Sequence, residues 1–101
     1  MARQLVVQPQ SDLDIQAAAV WYEDQRAGLG MRFLNELHLV FQRLENNPRQ
    51  FPRLEGEVRR ALLRHFPYGV YFIGDSENIT VLAVLHLHRE PDMWKSRNRW
   101  H

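Results

Sequence analysis

Three short apolar runs in the second half of the chain set its pattern: VRRALLR from Val58, YGVYFI from Tyr68 and ITVLAVLHL from Ile79. Each is rich in Val, Ile, Leu, Tyr and Phe and too short for a typical helix. They are separated by Pro67 and by the Gly-Asp-Ser-Glu-Asn cluster of residues 74–78, which is how strands joined by turns read. The pattern predicts an antiparallel meander with strands over Val58–Arg64, Tyr68–Ile73 and Ile79–Leu87. Strict alternation along the third strand places Thr80, Leu82, Val84, His86 and His88 on one face and Ile79, Val81, Ala83, Leu85 and Leu87 on the other. The second set is apolar throughout and is predicted to face the helices, with His86 on the opposite side.

Upstream of these runs the period lengthens. RQLVVQ, residues 3–8, is short and β-branched and ends at Pro9, so it reads as an edge strand. Ser11 followed by Asp14 resembles a capping box opening a helix over Asp12–Arg26. Leu13, Ala17, Val20 and Trp21 form its apolar stripe, widened by Ile15, Ala18, Ala19 and Tyr22. Gly28 and Gly30 then sit where a helix stop and a tight turn call for positive φ. A second helix is predicted from Met31 to Glu45, with Phe33, Leu34, Leu37, Val40, Phe41 and Leu44 on one side and Arg32, Glu36, Gln42 and Arg43 on the other. Asn46, Asn47 and Pro48 stop it. Residues 48–57 read as a crossing loop with Phe51 plugging the edge of the core. The order strand, helix, helix, strand, strand, strand predicts a single two-layer α+β domain over residues 1–101, a helical hairpin on a small antiparallel sheet.

Composition narrows the function classes. The 101 residues are 45% hydrophobic and 25% charged, as expected of one globular domain. With no cysteine, disulfides, thiolate metal sites and a Cys nucleophile are excluded together. No apolar run approaches the roughly 18 to 20 residues that span a bilayer, and the N-terminus does not read as a signal peptide, so a cytoplasmic protein without membrane contact is expected. The net charge is only +1 but uneven: residues 1–57 hold six Arg against eight acids, and residues 58–101 hold seven Lys or Arg against four. Four of five histidines also lie in the second part, which points to an acidic or phosphate-bearing partner there.

Several motifs in this order carry a resemblance. They are the Asp-Leu pair opening the first helix with WYE near its end, GxRF opening the second, and the NNPxxFP stop. VRRxLLRxFPYxVYF follows, and then VLAVLHLHREPDMWKSR. Together they resemble the RelE/ParE superfamily of small bacterial toxins, over nearly the whole chain and closer to its ParE-like, plasmid-stabilisation branch. The resemblance implies a type II toxin-antitoxin module, in which a cognate antitoxin neutralises the toxin and operator DNA is met only through the antitoxin. It implies either inhibition of DNA gyrase, which is the favoured expectation, or ribosome-dependent cleavage of mRNA. A third reading is a non-toxic protein of this fold acting only in the antitoxin complex and operon autoregulation.

Metal-independent RNA cleavage through the ribose 2′-hydroxyl needs a base, a cation for the phosphorane and an acid for the leaving oxygen. Where the resemblance implies a lysine, a phosphate-binding arginine and a C-terminal tyrosine, this chain has Leu62, Gly69 and, nearby, Trp94. Arginine holds its proton, so Arg60 is a poor base; His65 and His86, with Arg89, are the candidate catalytic set if the chain is a ribonuclease. Arg60, Arg64, His88, Arg89, Lys95 and Arg97 are candidates for target or nucleic-acid binding, with aromatics interleaved at the C-terminus. Arg59, Arg60 and Arg64 read equally as a solvated or salt-bridged strand edge. Trp21, Tyr22 and Trp94 are candidate antitoxin contacts, Trp94 also being a candidate to close the core. His86 also reads as a structural, hydrogen-bonded histidine. No cofactor and no metal site are expected, since the His-x-His pair lacks a carboxylate or cysteine at a telling spacing.

Overall fold

A computed structural model describes residues 3–98. Five strands make one mixed sheet in the order β1-β5-β4-β3-β2. They are β1 (Gln4–Val7), β2 (Arg53–Glu55), β3 (Val58–Leu62), β4 (Tyr68–Gly74) and β5 (Asn78–His86). The helices α1 (Pro9–Gln25) and α2 (Leu29–Asn46) form the expected hairpin, and a short helix α3 (Met93–Arg97) follows the sheet. The α+β class and the meander are as predicted, with strand ends moved by up to two residues. Three features differ: β1 joins β5 in parallel, from Gln4 opposite Asn78 to Val7 opposite Val81, the expected crossing loop contains β2, and α3 was not foreseen.

The hairpin covers one face of the sheet. Ile15, Ala18, Tyr22, Phe33, Leu37, Val40 and Leu44 pack there against Ala61, Val70, Phe72, Ile79 and Val81, and Phe51 closes the edge beside Phe72. On the opposite face Val58, Tyr71, Leu82, Ala83 and Leu85 form a smaller cluster under Trp94 of α3. Burying both faces explains why β4 and β5 read as nearly continuous apolar runs.

Local chemistry explains the departures. Pro9 ends β1 and occupies the first turn of α1, where its missing N–H has no helical partner to lose. The helix therefore starts before Ser11, and no capping box forms. The Ser11 hydroxyl is fully buried and donates to the Val81 carbonyl at 2.8 Å. Along α1 the buried residues are Ser11, Ile15, Ala18 and Tyr22. The stripe read as core is turned outward, with Leu13 64%, Val20 61% and Trp21 44% exposed.

Gly28 has the positive φ the turn requires, 89°, but Gly30 lies inside α2 and serves a different need. A Cβ there would come within 2.5 Å of the Ala19 carbonyl oxygen, so it marks the close approach of the two helices. Glu23 of α1 accepts from the amides of Gly28 and Gly30, at 2.9 and 3.1 Å, and so caps the start of α2.

One bulge reorganises β5. Tyr71 faces Ala83 but Phe72 faces Val81, so Leu82 is an extra residue and the alternation slips by one. Ile79 and Val81 face the helices as predicted, and beyond the bulge Val84 and His86 join them. Ala83 and Leu85 go to the other face. His86 is thus on the helical side, opposite to the expectation from strict alternation.

Beyond Val81, β1 has ended and β5 would be left with a bare edge. Side chains take over there. Ser11 and the Gln8 amide bond the Val81 carbonyl, Arg97 donates to the Leu82 carbonyl at 3.3 Å, and the Asp14 carboxylate accepts from the Val84 amide at 3.0 Å. The edge is thereby closed to further strand pairing.

Candidate functional site

The slip that turns His86 inward builds a cleft of about 320 Å³ between α1 and the end of β5, lined by Leu13, Ala17, Trp21, Tyr68, His86 and Arg89 among others. Its apolar wall is the outward stripe of α1. Its cation is Arg89, whose guanidinium lies 5.3 Å from the centre of the Trp21 ring, in reach of the ring's negative face.

His86 holds the turn that carries Arg89. Its Nδ1 accepts from the amides of His88 and Arg89 at 3.1 and 3.3 Å, and its carbonyl accepts from the Glu90 amide. An accepting Nδ1 places the ring proton on Nε2. Burial, then the positive charges of Arg89 and His88, push its pKa below the ordinary histidine value, against a smaller opposing effect of Glu90. Its ring also meets Tyr68 edge to face at 5.3 Å, and burial raises the Tyr68 hydroxyl, partly offset by Arg89. At neutral pH the cleft therefore presents the Arg89 cation, an uncharged imidazole whose accepting nitrogen is occupied, a protonated phenol and apolar surface, with the Glu90 carboxylate at its rim and that of Asp14 tied to Arg97. That set binds and orients; its imidazole has no free lone pair at Nδ1 with which to take a proton.

The structure separates the other predicted residues. His65 lies in the β3–β4 loop, and its Nδ1 and amide both bond Glu36 of α2, at 2.7 and 2.9 Å. The Arg64 amide bonds the same carboxylate at 2.5 Å. Burial alone would raise the Glu36 carboxyl, but these hydrogen bonds outweigh it and hold the pKa low. His65 and His86 thus have separate partners and do not form a joint acid-base pair. Arg64 and His88 have exposed side chains.

Arg60 is on the far face, opposite Tyr71, with its stem over Gly69. Lys95 is on the same side of the sheet, its ammonium 5.8 Å from the centre of the Trp94 ring, which stacks on Tyr71 at 5.7 Å. The sheet divides Arg60 and Lys95 from Arg89, so the cations read as one binding set form two.

Two candidates change role, and Trp94 takes its alternative role of closing the core. Arg97 is held by Asp14 through contacts of 2.5 and 3.1 Å, with both side chains largely buried; it is a structural clamp and not a free cation. Tyr22, expected as an antitoxin contact, has its ring packed into the core against Phe33, Phe66 and Tyr68. Trp94 is likewise buried, closing the far face. Asp14, read as part of a capping box, was missed as the partner of Arg97 and of the Val84 amide. Its signal was there: it lies one turn from Ser11 and from Ala18 on the buried side of α1, and a carboxylate in such a stripe requires a partner.

Against known families, a sequence profile described as "ParE toxin of type II toxin-antitoxin system, parDE" matches residues 5–91. The chain belongs to the ParE toxin family. The matched span takes in every element from β1 to the Arg89 turn and stops short of α3. Among solved structures, a chain described as "Chromosomal ParDE TA system from P. aeruginosa" is similar in fold. Its TM-score is 0.74 at 16% identity, over 84% of this chain and 96% of that one. Comparison with curated proteins gives no match. As a ParE toxin the protein is the toxin component of a type II module. Among its described residues, no helix is long and apolar enough to cross a membrane.

Proposed function

We propose that this ParE-family toxin arrests growth by binding DNA gyrase through the cleft between α1 and the end of β5, and that a cognate antitoxin neutralises it by occupying the same cleft. The observation that supports this reading is the seating of Arg89 over the exposed Trp21, 5.3 Å from its ring. The residue expected to meet the antitoxin and the one expected to meet the target are one contact, so a partner covering Trp21 also covers Arg89. The outward stripe of Leu13, Ala17 and Val20 extends the surface along α1, as an amphipathic partner segment requires. Operator DNA would be reached only through the antitoxin.

A binding mode fits the chemistry better than RNA cleavage. Leu62 and Gly69 supply no base or phosphate ligand, His65 is paired with Glu36, and the accepting nitrogen of His86 is engaged by its own turn. The test is a plasmid supercoiling assay with purified gyrase, ATP and the folded, antitoxin-free protein. The expected result is loss of supercoiling with accumulation of cleaved DNA, and a loss of potency of about tenfold in Arg89→Ala or Trp21→Ala. No inhibition by a folded protein sinks the gyrase reading. Cleavage of transcripts on translating ribosomes, abolished by His86→Ala, would replace it with the ribonuclease.

A further inference from the structure

A second cleft, of about 230 Å³, lies at the other end of β4 from the first and is lined by Arg3, Arg49, Arg53 and Arg59 together with Glu57 and Asp75. The four guanidiniums come from four segments: the residue before β1, the turn after α2, β2 and β3. Among the described residues none of the four is in an ion pair. Arg53 and Arg59 are direct cross-strand partners, an arrangement of like charges that destabilises a sheet in isolation.

Two of the four are fixed by main-chain carbonyls. Arg59 Nη1 donates to Phe51 at 2.6 Å and Arg3 Nε donates to Asp75 at 2.9 Å, which leaves the rest of each fork free. The Asp75 carboxylate is turned to its own loop, where one oxygen accepts from the amides of Glu77 and Asn78, both at 2.8 Å. The cleft is therefore a preset pocket that is cationic on balance, four arginines against the carboxylates of Glu57 and Asp75, with neither acid in contact as an ion pair.

We infer that this cleft is a carboxylate-binding site, taking an Asp or Glu side chain from an acidic peptide segment that adds to the open edge of β2. β2 ends the sheet, so its outer edge carries no strand. A strand laid beside it would run about 4.8 Å away and send alternate side chains to the face that bears Arg53 and Arg59. Arg59 is on the helical face because its β4 partner is the core residue Phe72. A nucleic-acid backbone fits less well, since its charge continues past the pocket onto a rim where Glu55 and Glu77 are exposed. The inference rests on the antitoxin reading only for the identity of the partner; the site itself stands on the arginines.

The test is a titration of the 15N-labelled protein, following the arginine Nε–Hε resonances. The probes are a blocked hexapeptide alternating Glu and Val, its counterpart with Gln for Glu, and an oligothymidylate of equal charge. The expected result is a saturable shift of the Arg53 and Arg59 signals with the Glu peptide. Its Kd should weaken by about tenfold or more for the Gln peptide and for the Arg49→Glu/Arg53→Glu protein. Arg49 and Arg53 are exposed, and an unchanged amide spectrum confirms that the variant is folded. Equal binding of the Gln peptide, tighter binding of the oligonucleotide, or no arginine shift at millimolar peptide overturns the inference. Because the titration reads the isolated protein, its answer does not depend on whether gyrase is the target.

Discussion

Replacing Asp14 by alanine should destabilise the fold far more than a surface change on α1 would. The carboxylate accepts from both Nη atoms of Arg97 and from the Val84 amide, and the two charged side chains are only 12% and 13% exposed. Alanine leaves a guanidinium with no counter-ion and a strand N–H with no acceptor. Breaking one side of a buried pair costs about 3–5 kcal/mol, and an orphaned amide about 1–3 kcal/mol. Residual water access at the rim lowers the total, so a loss of about 3 kcal/mol is expected. For a domain of this length that lowers Tm by about 12–24 °C.

Arg97→Met should cost less, since the carboxylate keeps the Val84 amide and can be hydrated from the cleft. The double variant Asp14→Ala/Arg97→Met removes the orphaned cation, so its loss should be smaller than the sum of the singles by about 1–3 kcal/mol. Urea and thermal unfolding followed by circular dichroism measure all three. A loss below about 1 kcal/mol for Asp14→Ala, or strict additivity, would refute the argument that this clamp closes the edge of β5.

Gly30→Ala gains helix propensity but must displace the Ala19 carbonyl, for a net loss of about 1–3 kcal/mol; a neutral urea midpoint would disprove the close helix contact. Ser11→Ala removes a buried donor from the Val81 carbonyl, which keeps the Gln8 amide, so a loss of about 1 kcal/mol is expected in the same assay. His86, with its pKa lowered by folding, binds its proton more weakly when folded. Stability should therefore fall as pH drops below the ordinary value of 6.5, and a Tm-against-pH profile of His86→Gln should be flatter there. Glu36, also lowered, contributes stability that is present above pH 4.5 and lost as pH falls through its folded value; Glu36→Gln should lack that acid-limb loss.

The strands were legible because their apolar runs are bounded by Pro67 and by residues 74–78, and the hairpin because Gly28 and the NNP stop punctuate two helical patterns. What escaped depends on tertiary pairing. The bulge at Leu82 has no glycine or other local mark in LAVL, and it alone moved His86 to the helical side. On α1, apolar residues occur on both faces, so periodicity found a stripe without saying which one the sheet would bury. β2 is three exposed residues defined only by pairing with β3. Arg97 sat in a stretch whose cations and aromatics suit a binding surface, and only the position of Asp14 shows that it is used internally; Trp94, also read as closing the core, does so against Tyr71.

If one neutralising segment fills both clefts, as proposed above, their separation sets its length. One includes Tyr68, at the start of β4, and the other Gly74, at its end, which places them about 20 Å apart along the strand. An extended segment needs about six residues to cover that distance, and a helical one about thirteen or more. A segment that both covers Trp21 and delivers a carboxylate to the arginines should therefore bind more tightly than either half by orders of magnitude, through effective concentration alone. Cutting the antitoxin's toxin-binding segment between its two contacts should abolish this gain, and titration of each half should find one perturbing Trp21 fluorescence and the other only the arginine resonances. If a single short fragment retained full affinity, one of the two clefts would have no part in neutralisation, and the variant Arg49→Glu/Arg53→Glu would identify which.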